Sequence, residues 1–162
     1  GFPSDGVIRK VKELGIIPVL GLPFLYELGD LYLENYGADL VRGAYPLRRL
    51  VQDGIPAAMS SDAPVIAPNP LFGINFAVNR RTKSGQLIAP EEKADLFHVL
   101  KAYTVNSAYA SFEEKDKGSL EIGKLADMIV LSENIQAIPV EELLRIRVDM
   151  TIIDGDIVFD NN

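Results

Sequence analysis

The chain has 162 residues, 48% of them apolar, a net charge of −7 and no cysteine. That is enough for one ordinary domain with a sizeable core, and it excludes a disordered chain. The acidic balance argues against nucleic acid or an anionic membrane surface as the main partner, and the missing cysteines remove disulfides, thiolate metal sites and a cysteine nucleophile.

No apolar run approaches the roughly 18 residues of a membrane span, so no membrane partner is expected. No secretory leader opens the chain, and a cytoplasmic location is the expectation. The start at Gly1-Phe2-Pro3, without methionine, suggests a processed, tagged or truncated chain.

Taken in order, Ser4 or Asp5 caps a first helix whose apolar positions Val7, Ile8, Val11 and Leu14 form one stripe, ended by Gly15. Ile16 to Leu20 reads as a strand, with Pro18 arguing against a fully paired central position. Gly21 to Tyr26 reads as a turn-rich apolar loop, and a short helix runs from about Asp30 to Tyr36, stopped by Gly37. Pro46 opens a helix over Leu47–Gln52 that Gly54 closes, and Ile55–Met59 is a second strand. The order helix, strand, helix, strand is that of βα units in a parallel sheet.

Asn69-Pro70 starts the next helix, with Leu71, Ile74 and Val78 on its buried face. Arg80 to Gln86 reads as a polar loop. Pro90-Glu91-Glu92 opens a further helix with Leu96, Val99, Leu100 and Tyr103 inward, and Thr104 caps a short one after it. From about residue 115 the pattern turns β-rich. Asp127–Leu131 is a strand, and Val140–Arg145 a short helix. Val148–Ile153 and Ile157–Phe159 make a hairpin around Asp154-Gly155. The domain expectation is therefore residues 1–115 as a helical α/β part and 116–162 as a β-rich tail.

The stretch that points to chemistry is Ile55-Pro56-Ala57-Ala58-Met59-Ser60-Ser61-Asp62-Ala63-Pro64. Polar groups just past the carboxyl end of a buried parallel strand sit where α/β folds build sites. Asp62 is the candidate; its plainer reading is a turn cap ahead of Pro64. Gly118 to Lys124 imitates a phosphate loop. However, Leu125 stands where Ser or Thr is needed, and a strand follows in place of a helix. His98 is the only histidine, which excludes a histidine pair for a metal and weakens a triad built on Ser60 or Ser61. Arg48-Arg49 and Arg80-Arg81 read as solvated pairs, with anion recognition the sharper option. Phe24, Tyr26, Tyr32, Tyr36 and Tyr45 read as packing or as a pocket wall.

Five pieces then stand in one order: Tyr45-Pro46-Leu47-Arg48-Arg49-Leu50, Ser61-Asp62-Ala63-Pro64-Val65, Asn69-Pro70-Leu71, Ala102 to Ala110, and Lys117 to Leu131. Together they resemble the last part of a metal-dependent amidohydrolase of the family 3 type, which includes N-substituted formamide deformylase-like enzymes. The resemblance runs from about Val7 to Phe159. It implies α/β architecture: the last two βα units of a TIM-type (β/α)8 barrel, followed by part of a small β-sandwich. It also implies a divalent metal, zinc, with Asp62 as both metal ligand and the catalytic acceptor of a proton from metal-bound water.

Where relatives carry Gln-Pro after the seventh strand, this chain has Leu22-Pro23. The family's His-x-His pair, its bridging acid or lysine and its middle-strand histidines do not occur here. A whole barrel takes about 250 residues. The resemblance thus implies a C-terminal portion whose full-length parent hydrolyses a non-peptide C–N bond in a small-molecule amide. Alone, the portion is expected to be inactive, to bind metal weakly and to self-associate through open sheet edges. The alternative is a non-enzymatic interaction or regulatory remnant of the same fold.

Overall fold

A computed structural model describes residues 1–161. Helix α1 (Asp5–Glu13) is capped by Ser4, whose Oγ accepts from Val7 N at 3.4 Å. Strand β1 (Val19–Leu20) pairs in parallel with β2 (Ala58–Met59), in the register Val19 to Ala58 and Leu20 to Met59. Between them run α2 (Pro23–Val41) and α3 (Leu47–Gln52). After β2 come α4 (Pro70–Asn79), α5 (Leu96–Tyr103) and α6 (Val105–Ala110). Strands β3 (Met128–Leu131), β4 (Val148–Ile153) and β5 (Asp156–Asp160) form an antiparallel sheet in that order.

Several local expectations are met for their stated reasons. Asn69 Oδ1 accepts from Leu71 N at 3.0 Å and Pro70 fills the first helical position of α4. Leu71, Ile74 and Val78 are buried. Asp154 and Gly155, both at positive φ (51° and 88°), turn β4 into β5.

Four expectations are corrected. The segment Gly21–Tyr26 is no loop: Pro23 begins α2, because a first-turn proline needs no partner for its missing N–H. Leu22 and Leu25 are completely buried and anchor that start. Gly37, at φ 74° and ψ 160°, breaks the helix once and lets it resume to Val41. Secondly, Pro90–Glu92 is a single 3-10 turn; Asp95 caps the true helix by accepting from His98 N at 3.1 Å. Thirdly, Thr104 does not cap α6; its hydroxyl donates back to Leu100 O at 2.8 Å. Lastly, the α1 stripe buries only Ile8 well, while Val7 and Leu14 are 50% and 62% exposed.

One continuous core holds the helices on the small parallel sheet, with Leu22, Leu25, Leu47, Phe76, Ile88 and Val99 all completely or nearly completely buried. Burying a side chain of this kind stabilises by about 1.5–3 kcal/mol. Ile135, Leu143 and Ile146 join the same core. Leu143 lies in a 3-10 segment, Val140–Arg145, that packs on α4, and Asn79 Nδ2 donates to Val140 O at 2.8 Å. The three-stranded sheet is far less covered: Ile129, Val130, Ile157, Val158 and Phe159 are all exposed.

Helix α3 lacks a side-chain cap of its own at Pro46. The buried Glu92 supplies one from outside, its Oε2 accepting from Arg49 N at 3.2 Å, so that a carboxylate faces the positive end of the helix.

Candidate functional site

The parallel ladder runs on past the strand assignments, with Ser60 N donating to Leu20 O at 3.0 Å. Immediately beyond it the chain turns. Ser60 Oγ accepts from Asp62 N at 3.0 Å, and Val65 N donates to Asp62 O at 2.9 Å. Asp62 takes φ 57°, a left-handed conformation that aspartate tolerates better than most residues. Its side chain is exposed at the carboxyl end of β2, and among the described residues its carboxylate accepts no hydrogen bond and joins no ion pair. A turn cap would spend that carboxylate on a backbone N–H. Here the serine does the capping and the aspartate is left free.

Strand β2 is held from its other side. Asn106 on α6 donates from Nδ2 to Ala57 O at 2.9 Å, satisfying a carbonyl at the edge that β1 does not use. This residue lay within the Ala102 to Ala110 piece, but nothing in its spacing marks it as a strand anchor.

The remaining candidates separate. His98 is on α5, its Nδ1 2.5 Å from Asp95 Oδ2. The groove it lines, of about 310 Å3, includes none of Ser60, Ser61 or Asp62. A serine–histidine–acid triad is therefore not assembled. Gly118 to Gly123 leads into β3 and presents no helix N-terminus. Arg48 donates to Glu91 O (3.0 Å), Arg49 pairs with Asp5 (2.6 Å) and Arg81 donates to Gly85 O (2.9 Å), all at the surface.

Arg80 is the exception, and the expectation of a solvated pair fails there. It closes α4 at φ 54° and ψ 44° and is completely buried. Nη1 donates to Ala44 O at 3.0 Å and Nη2 to Tyr45 O at 2.7 Å, while the guanidinium lies 5.5 Å from the centre of the Phe76 ring. Burial pushes its pKa down to about 10, against the opposing pull of Glu92 and then Glu91. A helix end in the left-handed conformation suggests glycine or asparagine, so no sequence signal singles out an arginine there.

The expected aromatic residues divide between two groups, each with an addition, Phe2 in one and Phe72 in the other. Phe2 meets Tyr32 and Tyr36 edge-on, at ring-centre distances of 5.8 and 6.1 Å, and Tyr26 packs against Phe72 at 6.0 Å.

No group of three or more histidine, cysteine, aspartate or glutamate side chains able to hold a metal ion exists among the described residues. A catalytic zinc takes about three protein ligands, so the donor set of this chain does not by itself fit such a centre. Asp62 offers a carboxylate that no other group among the described residues uses.

The chain is 32% identical to the putative amidohydrolase YtcJ of Bacillus subtilis over 98% of its own length and 31% of that protein. It is 30% identical to the N-substituted formamide deformylase of Arthrobacter pascens, over 94% of this chain and 28% of the relative. An uncharacterized metal-dependent hydrolase from Pyrococcus furiosus superposes on 76% of the chain and 25% of its own, with a TM-score of 0.62 and 27% identity. The chain thus spans about a third of the length of the curated relatives it matches. The amidohydrolase family model matches residues 4–159, and the chain belongs to the amidohydrolase family.

Proposed function

We propose that this chain is the closing, C-terminal portion of a (β/α)8-barrel hydrolase, with β1 and β2 as the last two barrel strands. In that reading residues 116–162 belong to a small β-sandwich. The full-length parent cleaves a non-peptide C–N bond of a small-molecule amide. The observation that carries the reading is Asp62: a free, exposed carboxylate at the carboxyl end of a strand in a parallel pair, held at positive φ by its own turn. Sites in such folds are built at that end of the sheet.

When bound, a divalent ion such as zinc supplies acidified water to reactions of this kind. Asp62 would hold such an ion through one oxygen, and its other oxygen, free of partners among the described residues, would be available to take a proton. Ser60, by capping the turn, keeps that carboxylate unspent. The other ligands are not among the described residues, so the portion alone is inactive and binds the ion weakly. In the full-length protein, Asp62→Ala abolishes hydrolysis and lowers metal content; near-normal turnover would sink the proposal.

The second reading, an interaction remnant of the hydrolase fold, draws on the exposed apolar face of β3–β5. Demonstrated hydrolysis by the full-length protein would remove it.

A further inference from the structure

We propose that Asn106 is a positioning residue for Asp62: by bonding the edge of β2 that faces away from β1, it fixes where the Asp62 carboxylate stands along the strand axis. This rests on the hydrolase reading above.

The strand that leads to Asp62 has one short ladder to hold it. Ala58 N donates to Pro18 O at 2.9 Å and Ser60 N to Leu20 O at 3.0 Å, so Ala58 and Ser60 face β1. Successive residues of a strand turn their backbone groups to opposite edges, which leaves Ala57 and Met59 facing away. On that far edge the Asn106 carboxamide stands in for the N–H of a neighbouring strand, its Nδ2 donating to Ala57 O at 2.9 Å. So short a pair specifies its register poorly, and a slip of one residue moves each group about 3.3 Å along the axis and onto the opposite face. An anchor on the second edge opposes that slip.

Asn106 itself stands on a fixed platform. Thr104 Oγ1 donates to Leu100 O and Ser107 Oγ to Ala102 O, both at 2.8 Å, and together they lock the bend between α5 and α6. Gly118, at φ 95°, presses on the same bend: a Cβ there would lie 2.7 Å from Ala108 Cβ and 3.2 Å from Thr104 O. From Ala57 onward the constraint reaches Asp62 without a loose joint. Ser60 is tied to β1, about 10 Å of extended chain after Ala57. Asp62 N is tied to Ser60 Oγ at 3.0 Å, and Val65 N closes the turn onto Asp62 O at 2.9 Å. A catalytic group is productive only when held within about 0.5 Å of its working position, so the hold on β2 matters to the carboxylate beyond it.

The test is a double-mutant cycle on the kcat of the full-length protein. Asn106→Ala should lower kcat about 10- to 100-fold, with KM changed less than about threefold. In the Asp62→Asn background the same substitution should lower kcat less than about twofold, because the group it positions is already gone. Asn106→Asp, equal in size but without the donor, should match Asn106→Ala, and Asn106→Gln, which keeps the donor on a longer stem, should lose less. Asn79→Ala removes a bond of the same kind, Nδ2 to Val140 O, from another part of the fold and should leave kcat within about twofold. In the 162-residue chain, amide exchange at Ser60 and Asp62 should be at least about tenfold faster in Asn106→Ala and unchanged in Asn79→Ala. Equal losses of kcat in both backgrounds would make Asn106 a general support of the fold and overturn the proposal. Unchanged exchange at Ser60 and Asp62 would overturn it as well. No hydrolysis by the unmodified protein removes the hydrolase reading and this proposal together, whereas hydrolysis with additive losses removes only the latter.

Discussion

Asp62 and Arg80 are opposite cases of a charged side chain. Asp62 is exposed and unspent; Arg80 is buried, with both terminal nitrogens committed to backbone carbonyls. Removing the Arg80 guanidinium leaves Ala44 O without its donor and Tyr45 O with Leu47 N alone, and an unsatisfied buried carbonyl costs about 1–3 kcal/mol. Arg80→Met should therefore lower unfolding stability by about 2–5 kcal/mol in urea titrations; a change within about 0.5 kcal/mol would contradict the contacts described. The two residues were not equally legible. Asp62 follows an apolar run and precedes a proline, and those are sequence signals. Arg80 stands in an Arg-Arg pair that reads as solvated, because burial depends on where residues 44 and 45 come to lie, far away in the chain.

At the scale of elements, a Cβ on Gly73 of α4 would overlap the hydroxyl at the tip of the Tyr103 side chain from α5. Gly73→Ala must displace that ring and should cost about 1–3 kcal/mol, read as a fall in Tm; an unchanged Tm would argue against the contact. Helix α2 is tied by Asp30 to the polar loop that follows α4. Its Oδ1 accepts from Thr82 Oγ1 at 2.6 Å, Ser84 Oγ at 2.7 Å and Gln86 Nε2 at 3.1 Å. The Thr82 hydroxyl and then the Ser84 hydroxyl hold its carboxyl below the ordinary aspartate value. A depressed carboxylate pKa contributes stability above the unfolded value of about 3.9, and that stability is lost as pH falls through the folded value. Amide exchange at Ser84 to Gln86, corrected for intrinsic rate, should accelerate below about pH 4, and Asp30→Asn should show that acceleration already at pH 7. Most helices were legible because caps and apolar spacing agree. Helix α2 was not, since Gly21-Leu22-Pro23 has the composition of a turn and only packing of Leu22 and Leu25 makes it a helix start.

On the scale of the molecule, two parallel strands with free edges and an uncovered three-stranded sheet leave much apolar surface open. Self-association is expected, and light scattering should show mass rising with concentration; a monomer throughout would count against it. Calorimetric titration of the chain with zinc should show no tight stoichiometric binding, whereas the full-length protein should bind. The α/β character was legible from the alternation of helix and strand. The larger architecture was not, because two strands cannot by themselves specify a closed barrel, and that assignment came only through the ordered family pieces. In the proposed function Asp62 is the working carboxylate of an amide hydrolase, with its remaining ligands outside these residues. The deciding measurement is the kcat of full-length wild type and Asp62→Asn at equal metal occupancy. Loss of the proton acceptor should lower kcat by about 10²–10⁴-fold, whereas a kcat within about threefold of wild type would remove Asp62 from the chemistry.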